Sequence, residues 1–189
     1  MKKILLASQS PRRKELLSAL GYDFETVSID CEENFDENMP AENVAEFLSL
    51  KKSKAYGDLD KNTILITADT VVTIKGEIMG KPADRNEAQK MLKKLSNDKS
   101  EVYTGITVRT AKKTISKSDV AHVYFNPMDD EEINFYIDRY QPFDKAGSYG
   151  VQEWIGMAKI SKIEGSFYTI MGLPTAILYE ILKELKSSN

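Results

Sequence analysis

Apolar and polar positions alternate along the chain with two periods, one typical of strands and one typical of helices. Short apolar or alternating runs predict strands over residues 3–7, 24–29, 64–68, 71–74, 77–79, 102–110 and 114–125. Helical spacing predicts helices over residues 11–20, 40–56, 84–95, 129–140 and 174–185. Residues 149–170 are expected to form short strands and turns. This alternation predicts an α/β fold with a mixed sheet, built as two lobes of one domain with a cleft between them.

The helical spacing also indicates which side chains face the core. In the helix over 40–56, one face carries Val44, Phe47, Leu48 and Ala55. The apolar face of the helix over 129–140 is formed by Ile133, Tyr136, Ile137 and Tyr140. We therefore expect both faces to be buried.

Composition narrows the class of protein. The chain has 189 residues, 41% hydrophobic and 29% charged, which is ordinary for a globular protein and argues against disorder. A net charge of −3 provides no basic field for general nucleic-acid binding. Cys31 is the single cysteine and favours a reducing compartment, and no apolar run is long enough for a membrane span. We therefore expect a cytoplasmic protein that binds neither nucleic acid nor membrane.

The start of the first helix is the most informative local feature. Ser10 is suited to the N-cap, yet three cations, Arg12, Arg13 and Lys14, follow it in the first turn. Positive charge is unfavourable there because it opposes the helix dipole. The hydroxyls of Ser8 and Ser10 and two guanidinium groups predict that an anion, most naturally a phosphate, is bound at this point.

Other candidate groups are scattered along the chain. The apolar run 64–68 is predicted to carry Asp69 at its end, where a carboxylate either binds a ligand or caps a turn. Lys81 lies between a glycine and a proline on a defined turn, although a lone lysine is usually solvated. The glycine-rich segment 144–152 could form an anion-binding nest. Glu32 and Glu33 are either solvated or a site for Mg²⁺ or Mn²⁺.

Several familiar catalytic patterns do not occur in the sequence. There is no G-x-x-x-x-G-K-[ST], no G-x-S-x-G and no C-x-x-C. His122 is the single histidine, which excludes a multi-histidine metal site within one chain.

Taken together, these segments resemble the Maf family of nucleoside triphosphate pyrophosphatases. The matching motifs span nearly the whole chain in the family's order: Ala7–Arg13 with Glu15–Leu17, Ala68–Val72, Gly80–Pro82, Thr104–Gly105, Asp144–Gly147, Tyr149–Gln152, Gly165–Ser166 and Gly172–Pro174. The resemblance implies one domain over residues 1–189, with an elongated mixed β-sheet flanked by helices and two lobes with a central cleft. This fold is similar to that of inosine triphosphate pyrophosphatases. Homodimers are frequent in the family.

The resemblance also implies a reaction and its residues. The family hydrolyses the α–β phosphoanhydride of a nucleoside triphosphate, gives a monophosphate and pyrophosphate, and needs a divalent cation such as Mg²⁺ or Mn²⁺. Asp69 matches the catalytic carboxylate that accepts the proton of the attacking water. The positions linked to substrate choice resemble the dTTP/UTP branch and are Arg12, Thr70 and Gln152. The positions expected around the triphosphate are Ser8, Arg13, Lys52 and Lys81. Glu33 matches an acidic position near the metal, with Asp69 as a second ligand.

Departures from the family pattern, among them the stretch Phe167–Met171, bear on fine specificity and rate rather than on reaction type. The segment Leu48–Ser53 carries two adjacent lysines, so either Lys51 or Lys52 takes the family position; the spacing favours Lys52. Gln141 replaces a frequent glutamate, and Glu153 replaces a frequent glycine.

The chemistry of the residues leaves two points open. Asp69 serves either as a base or mainly as a metal ligand. The Gln152 amide is complementary to the edge shared by uracil and thymine, which predicts that UTP and dTTP are preferred over CTP. A non-catalytic nucleotide-binding regulator of cell division is the competing class, and a γ-phosphatase is a second enzymatic alternative.

Overall fold

A computed structural model describes residues 2–187 of the protein and contains one mixed seven-stranded sheet with helices. The strands are β1 Lys3–Ala7, β2 Glu25–Thr26, β3 Thr63–Ile74, β4 Glu77–Met79, β5 Lys99–Arg109, β6 Thr114–Phe125 and β7 Ile160–Glu164. The helices are α1 Pro11–Ala19, α2 Ala41–Ala55, α3 Arg85–Leu95, α4 Asp130–Tyr140, α5 Trp154–Ala158, α6 Phe167–Ile170 and α7 Thr175–Ser187. The strand order is β2-β1-β3-β5-β6-β7, and β4 pairs with β3. The predicted α/β class is confirmed.

Parallel pairing at the start of the sheet follows from the apolar runs. β1 pairs in parallel with both β2 and β3, with Leu5 opposite Leu65 and Leu6 opposite Ile66. Parallel strands are usually covered on both faces, which explains why these runs are continuously hydrophobic. The antiparallel pairs β3–β4 and β6–β7 make the sheet mixed.

Strand β3 is longer than the sequence predicted, and this corrects the position of Asp69. The two predicted strands, 64–68 and 71–74, form a single strand of 12 residues, so Asp69 lies inside a strand and not at its end. The segment Thr70–Ile74 consists of β-branched residues, which favour continued extended backbone. The predicted hairpin from β3 to β4 is confirmed, with Lys75 and Gly76 in its turn.

Two other regions differ from the sequence prediction. Of the strand predicted over 24–29, the segment Glu25–Thr26 forms β2, and these two residues pair with Leu5 and Leu6 of β1. The region 149–170 contains the short helices α5 and α6 in addition to β7. Both helices are too short for a helical period to be recognised in the sequence.

The chain divides into two compact units. The first contains the chain up to Asp69, residues 104–119 and the chain from Gly172 onward. The second contains residues 70–103 and 120–171. Two units agree with the predicted two lobes, while the cleft and the assignment of both units to one domain stay predictions. Within residues 2–187, no helix is both long enough and apolar enough to cross a bilayer.

Each unit has its own core. In the first, apolar side chains of β1 and β3 are buried together with Leu17 of α1 and Val44 and Leu48 of α2. In the second, α3 and α4 contribute to a cluster that includes Leu92, Tyr136 and Ile137. The predicted core face of α4 is therefore confirmed, with Tyr140 at its partly buried margin.

The buried face of α2 differs from the predicted one. Phe47 is 38% exposed and Ala55 is exposed, whereas Ala45 is fully buried. The reason is a backbone-to-backbone contact: a Cβ added at Gly105 of β5 would lie 2.3 Å from the Glu46 nitrogen and 2.4 Å from the Ala45 carbonyl carbon. The helix therefore lies on the strand through its smallest residues, and this rotates Phe47 outward.

We expect Gly105→Ala to lower the free energy of unfolding by about 3 kcal/mol, because α2 must move away from β5 to make room for the methyl group. Urea denaturation followed by circular dichroism measures this. Gly80→Ala is the matched control, because a Cβ there meets nothing within 4 Å. Equal stability of the two variants would show that α2 does not depend on this contact.

Candidate active site

Asp69 is a carboxylate surrounded by the buried residues of β3. Its side chain is 11% exposed, and Oδ1 lies 2.5 Å from Nζ of Lys52 on α2. A buried carboxylate without a partner would be strongly destabilising, so this ammonium is what permits Asp69 to lie inside the strand. Lys52 is itself only 16% exposed, which strengthens the pairing relative to one in open solvent.

A second carboxylate meets the same ammonium. Oε1 of Glu33 lies 2.8 Å from Nζ of Lys52, and the Glu33 side chain is 58% exposed. The neighbouring Lys51 instead donates to the backbone carbonyl of Asn34 at 2.9 Å. The structure therefore brings Lys52, and not Lys51, to Asp69. Both lysines tie the loop after residue 30 to α2.

Arg13 connects three segments of the first unit. Its Nε donates to the Gly172 carbonyl oxygen at 2.7 Å, and its Nη1 donates to the Ala68 carbonyl oxygen at 2.9 Å. Burial lowers the pKa of Arg13, while the negative charges of Asp69 and Glu33 act in the opposite direction. Arg13 thus fixes the backbone beside Asp69 and contributes positive charge to the same site.

The first turn of α1 uses much of its own hydrogen-bonding capacity. The Ser10 N–H donates to Ser8 Oγ at 3.2 Å, and Ser10 Oγ accepts from the Arg13 N–H at 3.5 Å, as an N-cap. The Lys14 N–H donates to the Ser10 carbonyl at 3.3 Å. An anion at this turn would therefore be bound by positively charged side chains rather than by backbone N–H groups. Arg12 is half-buried at the same turn and lowers the pKa of Arg13.

Glu33 and Asp69 fit a hard divalent cation. Their oxygens converge closely enough to share one ammonium, and Mg²⁺ typically uses one or two carboxylates together with phosphate oxygens. Among residues 2–187, no group of three or more His, Cys, Asp or Glu side chains is placed to hold a metal ion. The chemistry of the donors therefore suits a cation that binds together with a phosphorylated ligand.

The remaining predicted residues belong to the second unit. Thr70 follows Asp69 along β3 and is half-buried, while Lys81 and Gln152 are exposed. Lys81 is carried by a loop whose Gly80 carbonyl oxygen accepts from the Gly147 N–H at 3.0 Å.

The predicted anion nest in 144–152 is not supported by the hydrogen bonds. The Gly147 and Ser148 N–H groups, on which it would depend, already donate to the carbonyl oxygens of Gly80 and Lys145. Both residues have positive φ, so the unusual backbone serves the turn itself.

Glu153, the residue after Gln152, belongs to a charged cluster that the sequence did not predict. The Lys145 side chain is 9% exposed, and its Nζ lies 2.8 Å from Asp144 Oδ1 and 3.2 Å from Glu153 Oε1. The Tyr136 hydroxyl donates to Glu153 Oε2. Helical spacing identified Tyr136 as a core residue, but its polar partners come from another segment, and no local pattern indicates them.

Comparisons with known proteins show which chains this one is similar to. Three curated relatives are each named dTTP/UTP pyrophosphatase. The one from Porphyromonas gingivalis is 48% identical over 191 residues, which cover 99% of this chain and 96% of that protein. The relative from Bacteroides thetaiotaomicron is 44% identical, with 96% and 95% covered. The relative from Flavobacterium psychrophilum is also 44% identical, with 94% and 91% covered.

A solved structure and a family model complete the comparison. A HAM1 protein from Coxiella burnetii aligns with 66% of this chain and 73% of its own at a TM-score of 0.42 and 16% identity. The family model described as Maf-like protein matches residues 3–185. With that match and relatives of 43–48% identity along most of its length, the chain belongs to the Maf-like protein family.

Proposed function

We propose that the protein hydrolyses the α–β phosphoanhydride of UTP and dTTP to the nucleoside monophosphate and pyrophosphate. Family membership and the names of the relatives support this reaction and these substrates. The observation that carries the proposal is the juxtaposition of Asp69, Lys52 and Glu33 beside Arg13. Two carboxylates and two cations in one partly buried site can neutralise the charge of a phosphoanhydride and accept the proton of an attacking water.

Positioning and charge neutralisation are the main contributions of the chain. Arg12, Arg13, Lys52 and Lys81 neutralise the phosphate oxygens, and Ser8 and Ser10 donate hydroxyl hydrogen bonds to them. Such groups act most strongly where water is partly excluded, as it is around Lys52. When the triphosphate binds, its oxygens compete with Asp69 and Glu33 for the Lys52 ammonium.

Asp69 becomes available for chemistry once Lys52 turns toward the phosphates. In the proposed step a water oxygen bonds to phosphorus, the anhydride breaks, and the water's proton passes to the Asp69 carboxylate. A bound Mg²⁺ or Mn²⁺ would supply further positive charge at the phosphate oxygens, held by Glu33 and Asp69. The same carboxylate therefore serves as proton acceptor, as ligand, or as both.

Base recognition is assigned to Gln152, with Arg12 and Thr70. The Gln152 carbonyl oxygen accepts from the N3–H of uracil or thymine, and its NH₂ donates to a ring carbonyl. Cytosine presents the reversed pattern at two atoms, which leaves polar groups unpaired. The proposal also places the enzyme in the cytoplasm, as a homodimer that acts on free nucleotides and not on nucleic acid.

Product identification tests the reaction itself. We expect the protein, with Mn²⁺ and UTP, to release UMP and pyrophosphate, and to turn over UTP and dTTP faster than CTP. Chromatography of the nucleotides with separate assays for pyrophosphate and orthophosphate gives the answer. Release of orthophosphate would instead identify a γ-phosphatase, and nucleotide binding without any product would identify a regulator.

Asp69→Asn should reduce kcat about 10³-fold, because the amide cannot accept the proton, while nucleotide binding is retained. Steady-state kinetics with UTP and calorimetric titration with a non-hydrolysable UTP analogue separate the two effects. The control is Asp58→Asn, which changes an exposed carboxylate ahead of β3. An unchanged kcat in Asp69→Asn would exclude Asp69 as the base.

The adjacent lysines provide a matched pair of variants. Lys52→Met should lower kcat/KM about 10²-fold, because it removes the cation next to Asp69 and leaves two carboxylates close together. Lys51→Met should lower kcat/KM less than about fivefold, because the Lys51 ammonium donates to Asn34 and not to Asp69. Equal losses in the two variants would contradict the assignment of Lys52.

A further inference from the structure

The position of the Gln152 side chain depends on the backbone that carries it. Gln152 is exposed, and within residues 2–187 its amide has no hydrogen-bond partner. An unrestrained amide can meet a base correctly only if its Cα is fixed. The groups that hold the backbone at 150–153 therefore decide where the amide can reach.

That backbone forms a turn with hydrogen bonds on both sides of Gln152. The Glu153 N–H donates to the Gly150 carbonyl oxygen at 3.0 Å and closes the turn. The Gly150 N–H donates to the Tyr136 hydroxyl oxygen at 2.9 Å. After the turn, the Glu153 carbonyl oxygen accepts from the Gly156 and Met157 N–H groups at 3.0 and 3.3 Å, where α5 begins.

The Glu153 carboxylate connects this turn to two other segments. Oε2 accepts the hydrogen bond of Tyr136 on α4, and Oε1 lies 3.2 Å from Nζ of Lys145. The Glu153 and Lys145 side chains are 16% and 9% exposed, so their pairing is little screened by water. Burial and the hydrogen bond to Glu153 raise the pKa of Tyr136, which keeps its hydroxyl protonated and able to donate.

There is little free space around the turn. A Cβ added at Gly150 would lie 2.8 Å from Cδ of Glu153, so the carboxylate packs directly against the Gly150 backbone. A Cβ added at Gly156 would lie 1.8 Å from the Val151 carbonyl oxygen. The segment 150–156 is therefore closely packed on both sides of Gln152, with Glu153 at its centre.

We propose that Glu153, held by Tyr136 and Lys145, is the positioning residue that sets Gln152 for base recognition, so that selectivity for uracil over cytosine depends on this buried carboxylate. The inference rests on the proposed function, since it takes Gln152 as the residue that contacts the base. Discrimination between bases requires hydrogen-bonding groups held to within about half an ångström, and a turn released from Tyr136 and Lys145 loses that precision.

The test compares two changes that leave Gln152 itself intact. Tyr136→Phe removes the hydroxyl that links Gly150 to Glu153, and Glu153→Gln removes the charge that Lys145 pairs with. The matched control is Tyr140→Phe, the same chemical change on the same helix, at a hydroxyl with no hydrogen-bond partner among residues 2–187. The measurements are kcat and KM for UTP and CTP, with the melting temperature of each variant.

We expect both changes, like Gln152→Ala, to lower the ratio of kcat/KM for UTP to that for CTP by about tenfold, with CTP turnover little changed. In a Gln152→Ala background, Tyr136→Phe should not lower the ratio further. Tyr140→Phe should keep the parent ratio. If Tyr136→Phe does not fold, Glu153→Gln decides the result.

Two outcomes would overturn the inference while base recognition by Gln152 stands. One is that Gln152→Ala lowers the ratio but Tyr136→Phe and Glu153→Gln both leave the ratio within about twofold of the parent. The other is an equal loss of kcat/KM for UTP and CTP with a lower melting temperature, which would mean a merely structural role. If Gln152→Ala itself leaves the ratio unchanged, base recognition by Gln152 is wrong and the inference fails with it.

Discussion

One ammonium group, Nζ of Lys52, holds together the two carboxylates on which the proposed chemistry depends. Asp69 lies inside an apolar strand, where an ionised carboxylate is stable only beside a cation. Lys52 reaches it because α2 packs backbone-to-backbone on Gly105 of β5. The packing of α2 on β5 therefore determines the distance between Lys52 and Asp69. Glu33, on a loop and more exposed, contacts the same ammonium.

Arg13 shows how one residue can combine structural and electrostatic roles. Its guanidinium donates to two backbone carbonyls, at Ala68 and Gly172, which fixes the backbone immediately before Asp69. The guanidinium of arginine holds its N–H donors in a rigid plane, so both carbonyls are met in a fixed orientation. Its charge is also opposite to those of Asp69 and Glu33, which act on it favourably. The charge of Arg13 near the start of α1 is thus compensated by carboxylates of the same unit.

In the second unit, buried charge has a different role. Glu153 joins Tyr136, Lys145 and the turn that carries Gln152, although the sequence around it looked only like a glycine-rich turn. The nest expected there is replaced by ordinary turn hydrogen bonds to carbonyl oxygens. Buried ion pairs of this kind add little stability by themselves, but they fix the position of the segments they join.

Periodicity, capping and motif order are properties of neighbouring residues, so the α/β class, most helices and strands, the apolar cores and the family could be predicted without coordinates. The residues of the site were also named from the sequence, but as separate segments. The folded chain was needed to show that Lys52 rather than Lys51 meets Asp69, that Asp69 lies within a strand, and that Arg13 turns inward to a carbonyl 159 residues away. These features depend on which distant groups come into contact, and a charge in a sequence carries no information about the partner that burial will give it.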